Sequence, residues 1–365
     1  MSSFVELPIL DLRDQTPSAY TLYLAKPEGN AFDYAPGQYL TVKITHEGEE
    51  YRRAYSLSSS PYLDEQLAIT VKREKGGRVS HLLRDAYQPG DTLACMPARG
   101  SFRVELRAER PRHYLLIAGG SGITPLMSIL RSVLAAEPES EVSLWYGSRN
   151  RTEIIFREEL SELAQQFPER LHVLHSLSQP EADWPGYRGR LDRERIYDLV
   201  SEVFMTSELP KVYFLCGPQG LMEAAEAALD KHAVNFNDVH RENFHVPLEA
   251  LAESEAQAPT KEPASSRPPL EDRPVVIHLH GERSALTVQA SESILDAAIQ
   301  ADLDPPFACQ GGICTSCQAR LITGEVYMDR NDALTQEEID QGYILTCQSH
   351  PLTDEVELEY GDEGM

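Results

Sequence analysis

Three folding modules of different class are expected in series: an antiparallel β-barrel, an α/β domain built on a parallel sheet, and a small α+β module. Three observations predict this order. From Phe4 to about Glu105 short alternating runs are separated by Gly, Pro and charged turns, the pattern of antiparallel strands. After about Arg112 the rhythm changes to strand, helix, strand, which indicates a parallel sheet covered by helices. Beyond a stretch rich in Ala, Glu, Pro and Ser, the segment from Val275 onward holds four of the six cysteines. A chain of 365 residues exceeds what one core usually organises, so two or three domains are expected from length alone.

The first module, residues 1–108, contains the runs YTLYLA, QYLTVKI, AYSLS, LAITVKR and TLACMP. One helical stretch, GRVSHLLRDA, interrupts them with Val79, Leu82 and Leu83 on one side. Several short strands with a single helix suggest a small barrel.

The second module, 109–246, alternates the strand-like HYLLIA, VSLWYG, LHVLHSL and KVYFLCG with the helix-like PLMSILRSVLAA, FREELSELAQQF, RERIYDLVSEVF and LMEAAEAALDKH. In such sheets ligands sit beyond the carboxyl ends of the strands. Residues 247–274 are nearly free of large apolar side chains and read as a linker, extended and semi-rigid in its Pro-rich half. The third module, 275–365, reads as strands around a helical SILDAAIQA and a cysteine loop, FACQGGICTSCQARL.

A hydrophobic fraction of 41% with 25% charged residues is that of an ordinary globular protein. The formal charge of -25 argues against nucleic acid as a partner, because phosphate binding needs clustered Lys and Arg. From Val275 to Met365 there are 17 Asp and Glu against three Arg and no Lys, a distribution suited to steering a basic partner. The start, MSSFVELPIL, lacks the basic and apolar regions of a secretory signal, and no apolar run is long enough for membrane insertion. A cytoplasmic location is expected.

Cys309, Cys314, Cys317 and Cys347 are spaced C-x4-C-x2-C with a distant fourth, the plant-type [2Fe-2S] pattern in which one loop supplies three thiolates and a separate strand the last. Gly311 and Gly312 allow the loop backbone conformations closed to other residues. A four-thiolate zinc site, a disulfide pair and buried structural thiols are the alternatives, although structural zinc usually takes two C-x2-C pairs and Cys347 stands alone. Val275 to about Tyr360 resembles a plant-type ferredoxin domain, which implies a β-grasp-like fold.

Arg53, Ala54, Tyr55 and Ser56 match the R-x-Y-S motif of the ferredoxin-NADP reductase superfamily, which the chain resembles in module order as well. The resemblance implies a Greek-key barrel that holds FAD. Arg53 would pair with the flavin pyrophosphate, Tyr55 would stack on the isoalloxazine, and Ser56 would place a hydroxyl at flavin N5. Gly76, Gly77, Val79 and Ser80 match the second phosphate-binding segment of that superfamily, where amides at a helix N-terminus meet the pyrophosphate.

The segment Gly119-Gly120-Ser121-Gly122-Ile123-Thr124-Pro125 departs from the usual G-x-G-x-x-G but resembles the G-G-x-G-I-T-P of the same superfamily. There the glycines, Gly120 among them, admit a pyrophosphate and Thr124 would lie near the nicotinamide. Cys216, in LCGP, takes the place of a cysteine set against nicotinamide C4. Ser148, Arg149 and Arg151 follow the second parallel strand and suit a 2'-phosphate, which favours NADPH over NADH. Two surface arginines are equally consistent with solvated charges, and Glu153 weakens the case. Glu242 and Phe244, in HRENF, would return to cover the flavin.

In order, then, the chain resembles three-module oxygenase reductases: FAD barrel, nicotinamide domain, C-terminal [2Fe-2S] ferredoxin. GEVYMDRNDALTQEEIDQGYILTCQSHPLTDEVELEY and HRENF are similar to the reductase subunits of phenylacetyl-CoA epoxidases, with reductases of ring-hydroxylating, steroid and alkane oxygenases as the alternatives. The resemblance implies hydride transfer from NADPH to FAD at Ser56, Thr124 and Cys216, then single electrons through the cluster to a partner oxygenase. A stand-alone electron carrier would leave the motifs at Arg53 and Gly119 without purpose. A flavin reductase that releases its flavin would need no cluster, and a zinc-stabilised binding protein would be colourless. No nucleophile and base pair or carboxylate dyad stands out, so substrate turnover is expected on another polypeptide.

Overall fold

The computed structural model describes residues 4–244 and 268–361. Contacts divide the chain into two compact units. One comprises Val5–Ile44 with Tyr55–Phe244, and the other joins Thr45–Ala54 to the C-terminal module. Residues 245–267, most of the expected linker, lie outside the described residues.

The N-terminal sheet is formed by β1 (Val5–Thr16), β2 (Ala19–Ala25), β3 (Tyr39–His46), β4 (Glu49–Ser56), β5 (Gln66–Lys72) and, after helix α1 (Arg78–Asp85), β6 (Thr92–Cys95). Its order is β4-β3-β6-β1-β2-β5, and an antiparallel bridge from Leu57, just past β4, to Ile69 on β5 joins its two ends. Alternation explains the interior: Leu7 and Ile9, Leu22 and Leu24, Leu40 and Val42, Leu67 and Ile69 are all buried. Each such side chain contributes about 1.5–3 kcal/mol of transfer free energy. Helix α1 buries Val79 and Leu83, one turn apart. Strand β1 is the element missing from the alternating runs named above. Its register shifts between Ile9 and Asp11 and between Asp14 and Thr16 break the alternation that would have marked it.

The middle module runs β7 (His113–Gly119), α2 (Ile123–Ala136), β8 (Glu141–Ser148), α3 (Arg157–Gln166), β9 (Leu171–Leu177), β10 (Tyr187–Arg188), α4 (Arg193–Thr206), β11 (Lys211–Gly217), α5 (Gln219–Lys231) and β12 (Val239–Asn243). All strands are parallel, in the order β10-β9-β8-β7-β11-β12. Central β7 is buried along its whole length, which is why it reads as a continuous apolar run. Its residues alternate between two cores. Tyr114, Leu116 and Ala118 pack with α2 and α3, while Leu115 and Ile117 pack with α4 and α5.

The C-terminal module contains β13 (Arg273–Leu279), β14 (Glu282–Val288), helix Ile294–Gln300, β15 (Gln318–Thr323), β16 (Val326–Met328), helix Gln336–Asp340, β17 (Tyr343–Leu345), β18 (Ser349–Pro351) and β19 (Val356–Glu359). A mixed sheet, β14-β13-β19-β15-β17, covers Ile294, Ala297 and Ala298 of the first of these helices. Ser293 and Asp296 close a reciprocal cap at that helix start. Strands β16 and β18 form a separate ribbon. Among the described residues no helix is long and apolar enough to cross a membrane.

Candidate functional site

Strand β4 carries Arg53, Ala54, Tyr55 and Ser56. Arg53 is exposed and its Nη1 donates to the Arg52 carbonyl at 2.7 Å, while Tyr55 is half-buried. Ser56 is buried and its Oγ has no hydrogen-bond partner among the described residues. An orphaned hydroxyl is costly, by about 1–3 kcal/mol, and a polar ring atom of a bound group would relieve it. Ahead of α1, Gly76 takes φ +80 and Gly77 caps the helix without a side-chain hydrogen bond, the form of helix start that suits an anion. A Cβ on Gly77 would lie 2.9 Å from Ser80 Oγ. The Ser80 hydroxyl itself accepts from Glu74 N at 3.2 Å and donates to Gly77 O at 3.3 Å, so the turn uses its side chain and leaves its amide. Tyr20 Oη donates to the Ser80 carbonyl at 2.8 Å and Val79 is buried, which together fix the start of α1. These residues fit a flavin dinucleotide.

Beyond the carboxyl end of β7, Gly120 adopts φ +55 and opens a single 3-10 turn into α2, whose N-cap, Gly122, also lacks a side-chain partner. The reason for glycine is steric. A Cβ on Gly122 would lie 2.1 Å from the Cys216 carbonyl, and one on Gly119 2.6 Å from Pro218, so the two loops pack backbone to backbone. Thr124 is buried and its Oγ1 donates to Ser121 O at 3.0 Å, while Tyr146 Oη donates to Gly120 O at 3.0 Å. Strand register aligns the expected nucleotide residues. Ala118 lies opposite both Tyr146 and Cys216, and Cys216 opposite Glu242.

Cys216 is fully buried in the core that contains Ala118, Ile123 and Phe214 and against which Phe244 packs. Burial pushes its thiol well up, so it is a small neutral contact rather than a nucleophile. Glu242 is half-buried, its Oε2 is shut off from solvent without a partner among the described residues, and burial raises the carboxyl to about 8. Ser148 is buried at the end of β8 and Arg149 is exposed. Arg151 is compensated by Asp183 at 3.2 Å and lies 5.5 Å over the Trp184 ring.

The four C-terminal cysteines come together. Cys317 and Cys347 are buried, Cys309 and Cys314 partly so, and none forms a disulfide. The Cys309 sulfur neighbours those of Cys314 and Cys347, and the Cys317 sulfur neighbours that of Cys347. Among the described residues no three His, Cys, Asp or Glu converge on one metal point, and a two-iron cluster, which takes its thiolates in pairs, requires none. Gly311 N donates to Cys309 Sγ at 3.4 Å. Gly312 holds φ +73 where a Cβ would lie 2.9 Å from Arg330 O. Thr346 Oγ1 donates to Cys317 O at 3.0 Å and accepts from Tyr360 Oη at 2.9 Å, tying the loop to the turn between β17 and β18, which, rather than a strand as expected, supplies Cys347. The set fits a [2Fe-2S] cluster.

Sequence reasoning did not weigh Tyr20, Tyr146, Thr346 or Tyr360. Each acts through a hydrogen bond to a residue distant in sequence, which leaves no local signal.

Family models match in the same order: an oxidoreductase FAD-binding domain over residues 15–104, an oxidoreductase NAD-binding domain over 116–227, and a 2Fe-2S iron-sulfur cluster binding domain over 277–352. A 1,2-phenylacetyl-CoA epoxidase subunit of Escherichia coli (strain K12) is 35% identical over 367 residues, covering 100% of both chains. A 3-ketosteroid-9-alpha-monooxygenase ferredoxin reductase component of Mycobacterium tuberculosis is 36% identical over 370 residues, 98% of this chain and 96% of its own. The solved structure of phthalate dioxygenase reductase is 25% identical, with a TM-score of 0.59 over 98% of each chain.

Proposed function

The chain belongs to the oxygenase-reductase family that joins FAD-binding, NAD-binding and 2Fe-2S domains, and from that premise we propose that it takes hydride from NADPH and delivers single electrons to an epoxidase of phenylacetyl-CoA. The observation that carries the reading is the gathering of four free thiols, Cys309, Cys314, Cys317 and Cys347, at the end of a chain that also holds both nucleotide motifs. FAD accepts an electron pair as hydride, and a [2Fe-2S] cluster passes electrons singly, which an oxygenase metal site requires.

The residues divide the work. Arg53 and the amides after Gly77 hold the flavin pyrophosphate, Tyr55 and Ala54 contact the flavin, and Ser56 gives its unpaired hydroxyl to the ring. Gly120 and Thr124 admit the nicotinamide dinucleotide to the uncapped start of α2. Cys216 presents an uncharged sulfur to the nicotinamide, with Phe244 packed beside it. Arg149, exposed, meets the 2'-phosphate, with Ser148 beside it and Arg151 a weaker contributor because Asp183 already neutralises it. Modules at 1–108, 109–246 and 275–365, with a tether at 247–274, suit an electron carrier that must meet both flavin and partner.

Reductases of ring-hydroxylating, steroid and alkane oxygenases share this chemistry, and the 36% identity to the steroid monooxygenase component supports that second reading of the partner. One anaerobic spectrum tests the core of the proposal. Visible bands of both flavin and cluster that bleach with NADPH, and more slowly with NADH, support it; a colourless protein or a preference for NADH opposes it.

A further inference from the structure

Arg52 immediately precedes the flavin motif, yet its side chain turns to the other end of the sequence. Its guanidinium is buried, at 7% exposure, and every nitrogen is used. Nε meets Glu50 Oε1 at 2.7 Å, Nη2 meets Asp304 Oδ1 at 2.8 Å, and Nη1 donates to the Pro305 carbonyl at 3.4 Å. Its Cζ lies 4.4 Å from the Phe307 ring centroid. Thr45–Ala54 and the segment around Asp304 belong to one compact unit. Phe307 packs in turn on the small core that contains Cys317 and Cys347, and stands two residues before Cys309.

A buried guanidinium is expensive unless paired and fully hydrogen-bonded, and here the pairing is shared between the neighbouring Glu50 and Asp304, 252 positions away in sequence. Planar geometry matters, because the group donates in two directions while stacking on an aromatic ring. A solvated surface arginine would show neither the burial nor the stack.

We propose that Arg52 is a positioning residue that clamps the Asp304–Phe307 segment, and through it the first cluster ligand, to the Thr45–Ala54 segment that bears Arg53. The inference rests on the reading of Cys309 to Cys347 as a cluster site. The step it would serve is one-electron transfer from a flavin reduced by hydride to the cluster, made twice, the cluster passing the first electron to the partner oxygenase before taking the second, with the flavin proton released to water.

The test compares holoprotein with Arg52→Ala, Arg52→Lys and Asp304→Asn. Hydrogen exchange of the peptides covering 49–53 and 303–308 reads the clamp without any turnover. Anaerobic stopped flow with NADPH separates flavin bleaching from cluster reduction. Arg52→Ala is expected to raise exchange in both peptides and slow cluster reduction about tenfold or more while flavin bleaching keeps its rate. Arg52→Lys is expected to restore charge but not stacking, and so to recover only part, and Asp304→Asn to share the defect in milder form. Unchanged exchange, or a cluster step as fast as in the wild type, overturns the proposal. Should Arg52→Ala fail to hold its cluster, Asp304→Asn decides. A wild-type protein without any cluster signal would sink the cluster reading instead, and the exchange measurement would still decide the clamp.

Discussion

Cys216 and Glu242 stand directly opposite each other on the parallel strands β11 and β12, a neutral thiol beside a carboxyl that burial raises to about 8. Hydride donation leaves the nicotinamide ring positive, so a carboxylate at this end of the sheet would favour it and a protonated carboxyl would not. Flavin reduction by NADPH in the wild type is expected to accelerate as pH rises through about 8. Glu242→Gln is expected to flatten that profile, a difference of up to about tenfold in stopped flow at high pH. Parallel profiles for the two proteins would remove Glu242 from the nicotinamide step.

Coenzyme choice is expected to rest on Arg149 more than on Arg151, whose charge Asp183 offsets. A hydrogen bond to a charged group contributes about 1.5–3 kcal/mol, so Arg149→Asp should lower kcat/KM for NADPH by roughly ten- to a hundredfold and leave NADH nearly unchanged. Arg151→Ala should cost less. Equal losses with both coenzymes would show that these arginines support the fold rather than a 2'-phosphate.

Gly312→Ala introduces a Cβ 2.9 Å from the Arg330 carbonyl at φ +73. The loop cannot hold that shape with a side chain, so iron content and the cluster bands are expected to fall severely. Flavin content and NADPH-ferricyanide activity should persist. Full cluster loading in the variant would contradict the loop geometry.

Stability should depend on pH from both sides. The folded protein keeps a proton on Glu242 that the unfolded chain gives up above the ordinary range near 4.5, so this group's contribution is lost as pH rises toward about 8. Burial lowers His113 and His175 to about 4, so between about 6.5 and 4 the unfolded state takes up protons that the folded state refuses, and stability falls as pH drops. Relative to the wild type, the melting temperature of Glu242→Gln is expected to improve from pH 5 to about 8 and to level off above it. A constant difference would refute the assignment.

The chemistry-bearing residues were legible because their patterns are local. Four cysteines at fixed spacing, R-x-Y-S on a strand, and a glycine run between β7 and α2 each follow from what one loop must do. The fold class was legible because β7, β8 and β11 are continuous apolar runs and the barrel strands alternate. What escaped were relationships across the chain. Arg52 reads as one more charge beside Arg53, and nothing local indicates that its partners are Asp304 and Phe307. Glu242 is expected with Phe244 over the flavin, and only the pairing of β12 with β11 sets it opposite Cys216. Strand β1 was hidden by its own irregular register.

The most direct measurement is anaerobic reduction of the wild type and of Cys347→Ser by NADPH, followed by low-temperature electron paramagnetic resonance and by reduction of cytochrome c as a one-electron acceptor. The expected result is a reduced [2Fe-2S] signal and rapid cytochrome reduction in the wild type, with both lost in Cys347→Ser while its flavin still bleaches. Undiminished cytochrome reduction by Cys347→Ser, or no iron-sulfur signal in the wild type, would contradict the assignment of the four thiols as the exit for single electrons.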